Sequence, residues 1–405
     1  MANQTSSNIL VALKRESTTG TAPATVTGAD QLRIIDSQGL RLNRATIISQ
    51  EKRADGNVAM GRIGAKSVDG NYNSELTVGG AVDDLIESLM RSTWTAADSD
   101  AFAGVFTSIA IASNVFTASG GSFITADYRV GQIIYLTAAE DTENNNKNLI
   151  VTAVTASTMT VISADGVALT DNAADTAGTF NRLKVLVTNT TSPTRRSYSV
   201  EQNDTDIDLS ELFLGCRVVG LRLSFRPGQH AQATYTFQGM DRTALTTGTS
   251  PFYDTPSVTT GLSLIADDSS ITYNGATVAT FTGFDLNFQI TAQGEPVIGS
   301  LVSPDIFDND LSVSGSITGI RQDFSNLTLF DAETEFAVSI VLSEPNTTPP
   351  SAMAFYINRC KLSGLSAPVG GGDGAKIETL EIMAGPATAA TGEDATVAVI
   401  SSSGA

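Results

Sequence analysis

The stretch GCRVVGLRLSFRPGQHAQATYTFQGMD, residues 215–241, decides the fold class. Apolar and polar side chains alternate from Leu221 to Phe225 and again from Ala233 to Phe237. A period of two places alternate side chains on opposite faces of a strand. Pro227-Gly228 separates the two runs and is typical of a turn. The stretch therefore predicts two strands that each bury one face.

The same alternation recurs through the second half of the chain and predicts a mainly β protein. Charged residues make up only 17% of the 405 residues, and Thr, Ser, Asn and Gly, which favour strands and turns, replace them. The further runs are SYSVEQ (197–202), TFTGFDLNFQIT (280–291), DLSVSGSITGI (310–320), TEFAVSIVLSE (334–344), AFYINRCKLSG (354–364) and AKIETLEIMAG (375–385).

One segment has the period of a helix. In GGAVDDLIESLMRSTW, residues 79–94, the apolar side chains Val82, Leu85, Ile86 and Leu89 form an i, i+3, i+4, i+7 stripe. Acidic residues near its start and an arginine near its end suit the helix dipole. We expect one short helix over 80–92, flanking the sheets.

Composition divides the chain into four parts. Residues 1–94 hold an N-terminal arm, strands, a long loop and the helix. Residues 95–190 carry several short apolar runs separated by turn residues, which predict an inserted small β domain. Residues 191–385 return to long strands. Residues 386–405 are rich in Ala, Thr, Gly and Ser, and we expect a flexible or extended tail.

A short internal echo hints at a duplicated sheet. Ser67-Val68-Asp69-Gly70 and Ser312-Val313-Ser314-Gly315 each open a strand, and comparable polar and apolar runs follow both.

The net charge of −19 argues against binding to nucleic acid. Binding to a phosphate backbone needs clustered Lys and Arg, whereas this chain has 43 acidic and 24 basic side chains. A negative charge is consistent with the wall of a channel along which DNA slides. It is equally consistent with a role in solubility alone. No apolar run approaches the length of a membrane span, and the start lacks the pattern of a signal peptide, so we expect folding in the cytoplasm.

The residues needed for common catalytic and metal sites are scarce. His230 is the single histidine, and its neighbours supply neither a nucleophile nor an orienting carboxylate in an evident pattern. The two cysteines, Cys216 and Cys360, are too few for a structural zinc site, and we expect both to be reduced. Residues 204–208, Asp-Thr-Asp-Ile-Asp, fit the opening of a calcium loop or one face of an edge strand. We therefore expect no catalytic residues, no cofactor and no enzyme.

An ordered set of short motifs resembles the tail tube proteins of long-tailed bacteriophages. The resemblance covers residues 10–94 and 195–384. The inserted segment 95–190 departs from it and looks like the β insertions that some tail proteins carry on their outer surface, so we expect an outer domain. The matching elements are Glu16, Gly20, Thr21 and Pro23; Arg53-Ala54-Asp55; Val68 and Gly70; the helix that ends near Trp94; Gly215 to Val218; and Gly239 with Asp241.

The resemblance implies a two-sheet β-barrel or sandwich in which six copies close a continuous barrel and rings stack into a tube. It implies a virion protein that is assembled in the host cytoplasm and conducts viral DNA during genome ejection without binding it specifically. The implied partners are further copies of the chain, a tape-measure protein, and tail terminator or baseplate proteins. The alternatives are a phage adhesin, spike or carbohydrate-binding β module, and a hydrolase on a β scaffold.

The stretch from Ile47 to Lys66 is the candidate for contacts between rings. It is polar and too long for a simple turn, and loops of this length are usually functional or disordered. Mixed charges suit pairing with the next ring. The candidate residues are Glu51, Lys52, Arg53, Asp55, Arg62 and Lys66.

Overall fold

The fold is taken from a computed structural model of the chain. It describes residues 3–36, 38–188, 191–369, 374–388, 390 and 392–404. Strands dominate, which confirms the mainly β fold class.

The first part of the chain provides four strands and the longest helix. The helix α1 (Gly80–Leu89) lies within the range expected for it, buries its apolar stripe and packs against β2 and β15. The strands are β1 (Ile9–Arg15), β2 (Asp30–Leu32), β3 (Gly39–Ile47) and β4 (Arg62–Glu75), while β15 is given with the later elements.

Residues 98–182 form an eight-stranded antiparallel sheet of their own, in the order β11-β6-β7-β10-β9-β8-β12-β5. A one-turn helix, α2 (Phe102–Val105), and a 3-10 turn at Thr142–Asn144 accompany it. The strands are β5 (Asp98–Ala101), β6 (Ser108–Ala112), β7 (Val115–Ser119), β8 (Ile133–Thr137), β9 (Leu149–Val154), β10 (Thr158–Ser163), β11 (Asn172–Asp175) and β12 (Thr179–Arg182).

The remaining residues complete the large sheet. A short helix, α3 (Ser325–Asp331), and a 3-10 turn at Ala266–Asp268 interrupt the strands. The strands are β13 (Lys184–Val187), β14 (Tyr198–Asp204), β15 (Leu209–Phe225), β16 (Gln232–Gly239), β17 (Asp241–Leu245), β18 (Ser257–Val258), β19 (Ser269–Tyr273), β20 (Ala276–Thr277), β21 (Phe281–Gly294), β22 (Ile306–Ile320), β23 (Phe336–Glu344), β24 (Ser351–Ser366), β25 (Ile377–Ala384) and β26 (Val399–Ser402).

Two long strands, β15 and β24, organise the large sheet because each changes partners midway. The first half of β15 pairs with β14 and β17, and its second half pairs with β16 and β21. The first half of β24 lies between β23 and β26, and its second half pairs with β25. The inward-facing side chains of these strands meet in one large core, as the alternation predicts.

Three features differ from the sequence expectations. α2 and α3 were not predicted, because one or two turns are too short to show a helical period. The expected tail contains β26, which is buried between β13 and β24. The core of the 98–182 sheet also continues into the large sheet through Val341, Tyr356 and Val399, so it is not closed on itself.

Candidate assembly surface

Two long hairpins leave the large sheet at the same end. One is β3–β4 with the loop 48–61, and the other is β21–β22 with the loop 295–305. They touch each other there, since the backbone N–H of Lys66 donates to the carbonyl oxygen of Leu301 at 2.7 Å. Residues 43–67 and 290–309 together form one surface, here named the double hairpin.

The tip of the first hairpin is shaped by its own polar groups. Gly56 has φ 71°, a left-handed conformation that glycine adopts without strain. The Asp55 carboxylate accepts hydrogen bonds from the Arg53 guanidinium at 3.0 Å and from the Asn57 N–H at 3.1 Å. These bonds, that from Arg53 foremost, lower the pKa of Asp55 to about 2. The turn predicted from Asp55-Gly56-Asn57 is therefore held by an internal ion pair.

The six candidate residues fall into two groups. Glu51, Lys52, Arg53 and Asp55 lie in the exposed loop, whereas Arg62 and Lys66 lie on β4. Arg53 pairs with Asp55 inside the loop. Lys66 pairs with Asp241 at the start of β17, 2.7 Å away, and both side chains are partly buried. Within the part of the chain that the structure describes, Lys52 and Arg62 form no ion pair.

Sequence reasoning missed the apolar side chains of this surface. Met60 and Val58 leave 94% and 77% of their surfaces exposed, and Ile298 on the other loop is fully exposed. Exposed apolar patches of this kind mark contact sites. The signal lay in the stretch 47–66, where large apolar residues persist among polar ones. The full exposed set is Ile47, Ile48, Val58, Met60, Ile63, Val297, Ile298, Leu301 and Phe307.

A charge cluster centred on the buried side chains of Asp308 and Arg217 holds the base of the second hairpin. The Asp308 carboxylate on β22 lies 2.8 Å from Arg217 on β15 and 2.7 Å from Arg195, which precedes β14. Arg217 also reaches Asp305 at 2.8 Å, and Arg91 beyond α1 lies 3.6 Å from Asp308. Asp308 thereby connects the second hairpin to β15, to the segment before β14 and to the segment after α1.

The other candidate residues have structural surroundings. The imidazole Nδ1 of His230 lies 2.8 Å from the Ser263 hydroxyl. Asp206 accepts hydrogen bonds from the Thr5 N–H and the Asn8 amide, each at 2.8 Å. No group of three or more His, Cys, Asp or Glu side chains among the described residues could hold a metal ion.

Both cysteines are free and buried. Burial raises the pKa of the Cys360 thiol to about 12 and that of Cys216 well above its usual value, so both thiols are neutral and shielded. No helix of the described chain is both long and apolar enough to cross a bilayer.

Comparison with known families identifies this architecture. The sequence model of a family described as phage tail tube protein matches residues 6–398, nearly the whole chain. The chain belongs to the phage tail tube protein family. The tail tube chain is thus a bacteriophage structural protein of the virion tail, which self-assembles into a tube and associates with other tail components. No curated protein matches its sequence.

Proposed function

We propose that this tail tube protein forms stacked rings, in each of which six barrel segments (parts of the large sheet) close one continuous barrel, as in a hexameric ring. We further propose that the double hairpin of one ring contacts the next ring. The lumen conducts viral DNA into the host without binding it specifically. The ends of the tube contact the tape-measure, terminator and baseplate proteins, and assembly takes place in the host cytoplasm. Identical contacts repeated from ring to ring have no closure and so build a tube.

The observation that carries this proposal is the exposed apolar double hairpin. Side chains such as Met60 and Ile298 project into solvent at one end of the subunit, where nothing in the described chain covers them. Covering them in the next ring would stabilise stacking by about 25 cal/mol for each Å² of apolar surface buried. The net charge of −19 supports a lumen that does not retain DNA.

Shortening the first hairpin tests the proposal. Ile47 pairs directly with Arg62, so a two-residue Asn-Gly turn can replace residues 48–61 without disturbing the ladder. We expect this variant to keep its circular dichroism spectrum and to form single rings, while electron microscopy shows no tubes.

A matched control changes an exposed apolar residue elsewhere. Val167, in the 98–182 sheet region, exposes 56% of its surface, and Val167→Ser should leave tube length unchanged. Normal tubes from the shortened variant would overturn the role of the first hairpin in stacking.

A further inference from the structure

The two cysteines mark equivalent positions in two copies of one strand arrangement. Cys216 on β15 lies opposite Tyr198, and Cys360 on β24 lies opposite Phe336. In both ladders a β-bulge follows this pair at once. The local sequences agree as well: Cys-Arg-Val-Val-Gly-Leu in 216–221 and Cys-Lys-Leu-Ser-Gly-Leu in 360–365.

A second pair of bulges keeps the same distance from the cysteines. The β15–β16 ladder shifts register between Val218 and Gly220, and the β24–β25 ladder shifts between Leu362 and Gly364. Bulges are specific structural features, so four matching bulges in two strand sets indicate a repeat.

The two long hairpins match in the same way. β3–β4 has its bulge between Arg44 and Thr46, and β21–β22 has one between Ile290 and Ala292. Leu40 pairs with Gly70 in the first hairpin, and Leu286 pairs with Gly315 in the second. These glycines end the Ser-Val-x-Gly echo of the sequence, and α1 and α3 each begin ten residues after them.

The chain therefore contains two tube modules with the same arrangement of strands, bulges and helix. Module A consists of β3, β4, α1, β14, β15 and β16, and module B of β21, β22, α3, β23, β24 and β25. In each module the second hairpin strand pairs with the last strand, as β4 with β16 and β22 with β25.

Within the chain, the modules join edge to edge. The second half of β15 in module A pairs antiparallel with β21 in module B, from Gly220 opposite Gln289 to Phe225 opposite Phe284. The equivalent edges at the outer sides have no such partner. Among the described residues, β3 pairs only with β4, and the second half of β24 pairs only with β25.

The exposure of equivalent side chains also indicates that the outer strand edges lack a partner. Leu221 and Phe288 face each other across the joined edges and are fully buried. Their counterparts are Leu365 on β24 and Leu42 on β3, which are only half-buried. An open strand edge with half-covered leucines is a template for another strand.

We propose that β24 of one copy pairs antiparallel with β3 of the next copy, in the register that joins β15 to β21. Leu365 then lies opposite Leu42, Ser366 opposite Arg41, and Gly364 opposite Asn43. The inference rests on the ring proposed above. Because each chain supplies two barrel segments, modules A and B, a ring of six segments contains three chains of 42.2 kDa and not the six copies that the family resemblance implies.

The hydrogen-bonding pattern of β3 fits this pairing and limits its length. The Leu40 N–H donates to the Gln202 amide oxygen at 2.8 Å, and the Leu40 carbonyl accepts from the Gln202 amide nitrogen at 3.3 Å. Leu40 therefore turns its backbone groups away from β4, and by alternation Leu42 does the same. The backbone groups of Leu42 are then directed toward the next copy, whereas Gln202 already satisfies Leu40.

Disulfide cross-linking in the assembled protein tests the register. Arg41 and Ser366 are exposed and would form a non-hydrogen-bonded pair with Cα atoms about 4.5 Å apart, within disulfide range. We expect Arg41→Cys with Ser366→Cys to give covalent dimers and trimers, and nothing larger, on oxidation and non-reducing electrophoresis. The buried native thiols should not react.

Three controls accompany this variant. Each single substitution should remain monomeric on the gel. Asn43→Cys with Ser366→Cys, displaced by two residues, should cross-link at least tenfold less. Arg222→Cys with Asn287→Cys, the equivalent pair inside the chain, should form its disulfide within one chain.

The outcomes separate this inference from the proposed function. Tubes visible by microscopy without cross-linked chains would overturn the edge pairing and leave the ring function intact. A covalent ladder that extends to six chains would overturn the three-chain ring. Absence of rings and tubes in the unmodified protein would instead overturn the proposed function.

Discussion

The Lys66 ammonium group lies 2.7 Å from the Asp241 carboxylate and joins the first hairpin to the start of β17. The same residue donates its backbone N–H to Leu301 in the second hairpin. Lys66, a predicted contact to another ring, thus joins the first hairpin to β17 through its side chain and to the second hairpin through its backbone.

Asp241→Asn should loosen the first hairpin without unfolding the subunit. A partly buried ion pair contributes about 1 kcal/mol, so amide exchange over residues 62–66 should rise roughly fivefold. Hydrogen–deuterium exchange with mass spectrometry measures this. Asp69→Asn, which removes the exposed pair with Arg41, is the control and should leave that segment unchanged. Equal exchange in both variants would show that the pair does not hold the hairpin.

Charge reversal at Arg53 and Arg62 is expected to block ring stacking and leave the subunit folded. Arg53 would lose its bond to Asp55, and both residues would present the wrong charge to an acidic neighbour. Electron microscopy and circular dichroism check the two parts of this prediction.

The double substitution Val58→Ser with Met60→Ser tests the apolar share of the same contact. We expect it to shorten or abolish tubes at unchanged net charge, since it removes only apolar area from the loop. If the serine variant assembles normally while the charge-reversed variant does not, ring stacking depends on ionic contacts and not on these apolar side chains.

Asp308→Ala should destabilise the subunit strongly. It leaves the buried guanidinium of Arg217 without its closest partner on β22, and breaking a buried pair costs about 3–5 kcal/mol. Thermal and denaturant melts should both shift to lower midpoints. Asp310→Ala, at a nearby exposed position without an ion pair in the described chain, should change neither midpoint. A small shift for Asp308→Ala would mean that solvent reaches the cluster.

Removing the eight-stranded sheet should still allow tubes to form. Thr95 and Val185 exchange backbone hydrogen bonds of 2.9 and 3.2 Å, so a short Gly/Ser turn can replace residues 97–182. The melting temperature should fall, because Val341 and Tyr356 lose their cover. Microscopy and a thermal melt measure both effects, and an insoluble product would show that the segment belongs to the core.

Assembled tubes should not bind DNA. At −19 per chain, we expect no saturable binding at micromolar concentrations in physiological salt. Fluorescence anisotropy with a labelled duplex, repeated at several salt concentrations, tests this. Salt-sensitive micromolar binding would contradict a channel that lets DNA slide.

The sequence by itself determined the fold class, the main helix and the family. Alternation from Leu221 to Phe225 and the stripe from Val82 to Leu89 are local signals, because strand and helix periods are set by neighbouring residues. The motifs around Glu16 and Gly215 carried the family resemblance, which the family match over residues 6–398 confirms.

Only the tertiary structure decided which strands pair and what the loops expose. Ile9 pairs with Asp204, and Met353 pairs with Ser402 on one side; no local pattern encodes pairings over such distances. In the sequence the duplication shows only in short matches, Ser-Val-x-Gly and the Cys-x-x-x-Gly-Leu that begins at Cys216 and at Cys360, since many apolar residues fill equivalent core positions. The positions of the β-bulges reveal the duplication more clearly, because ladder geometry fixes them. Ladders form only when the chain folds, so the bulges are visible only in the tertiary structure.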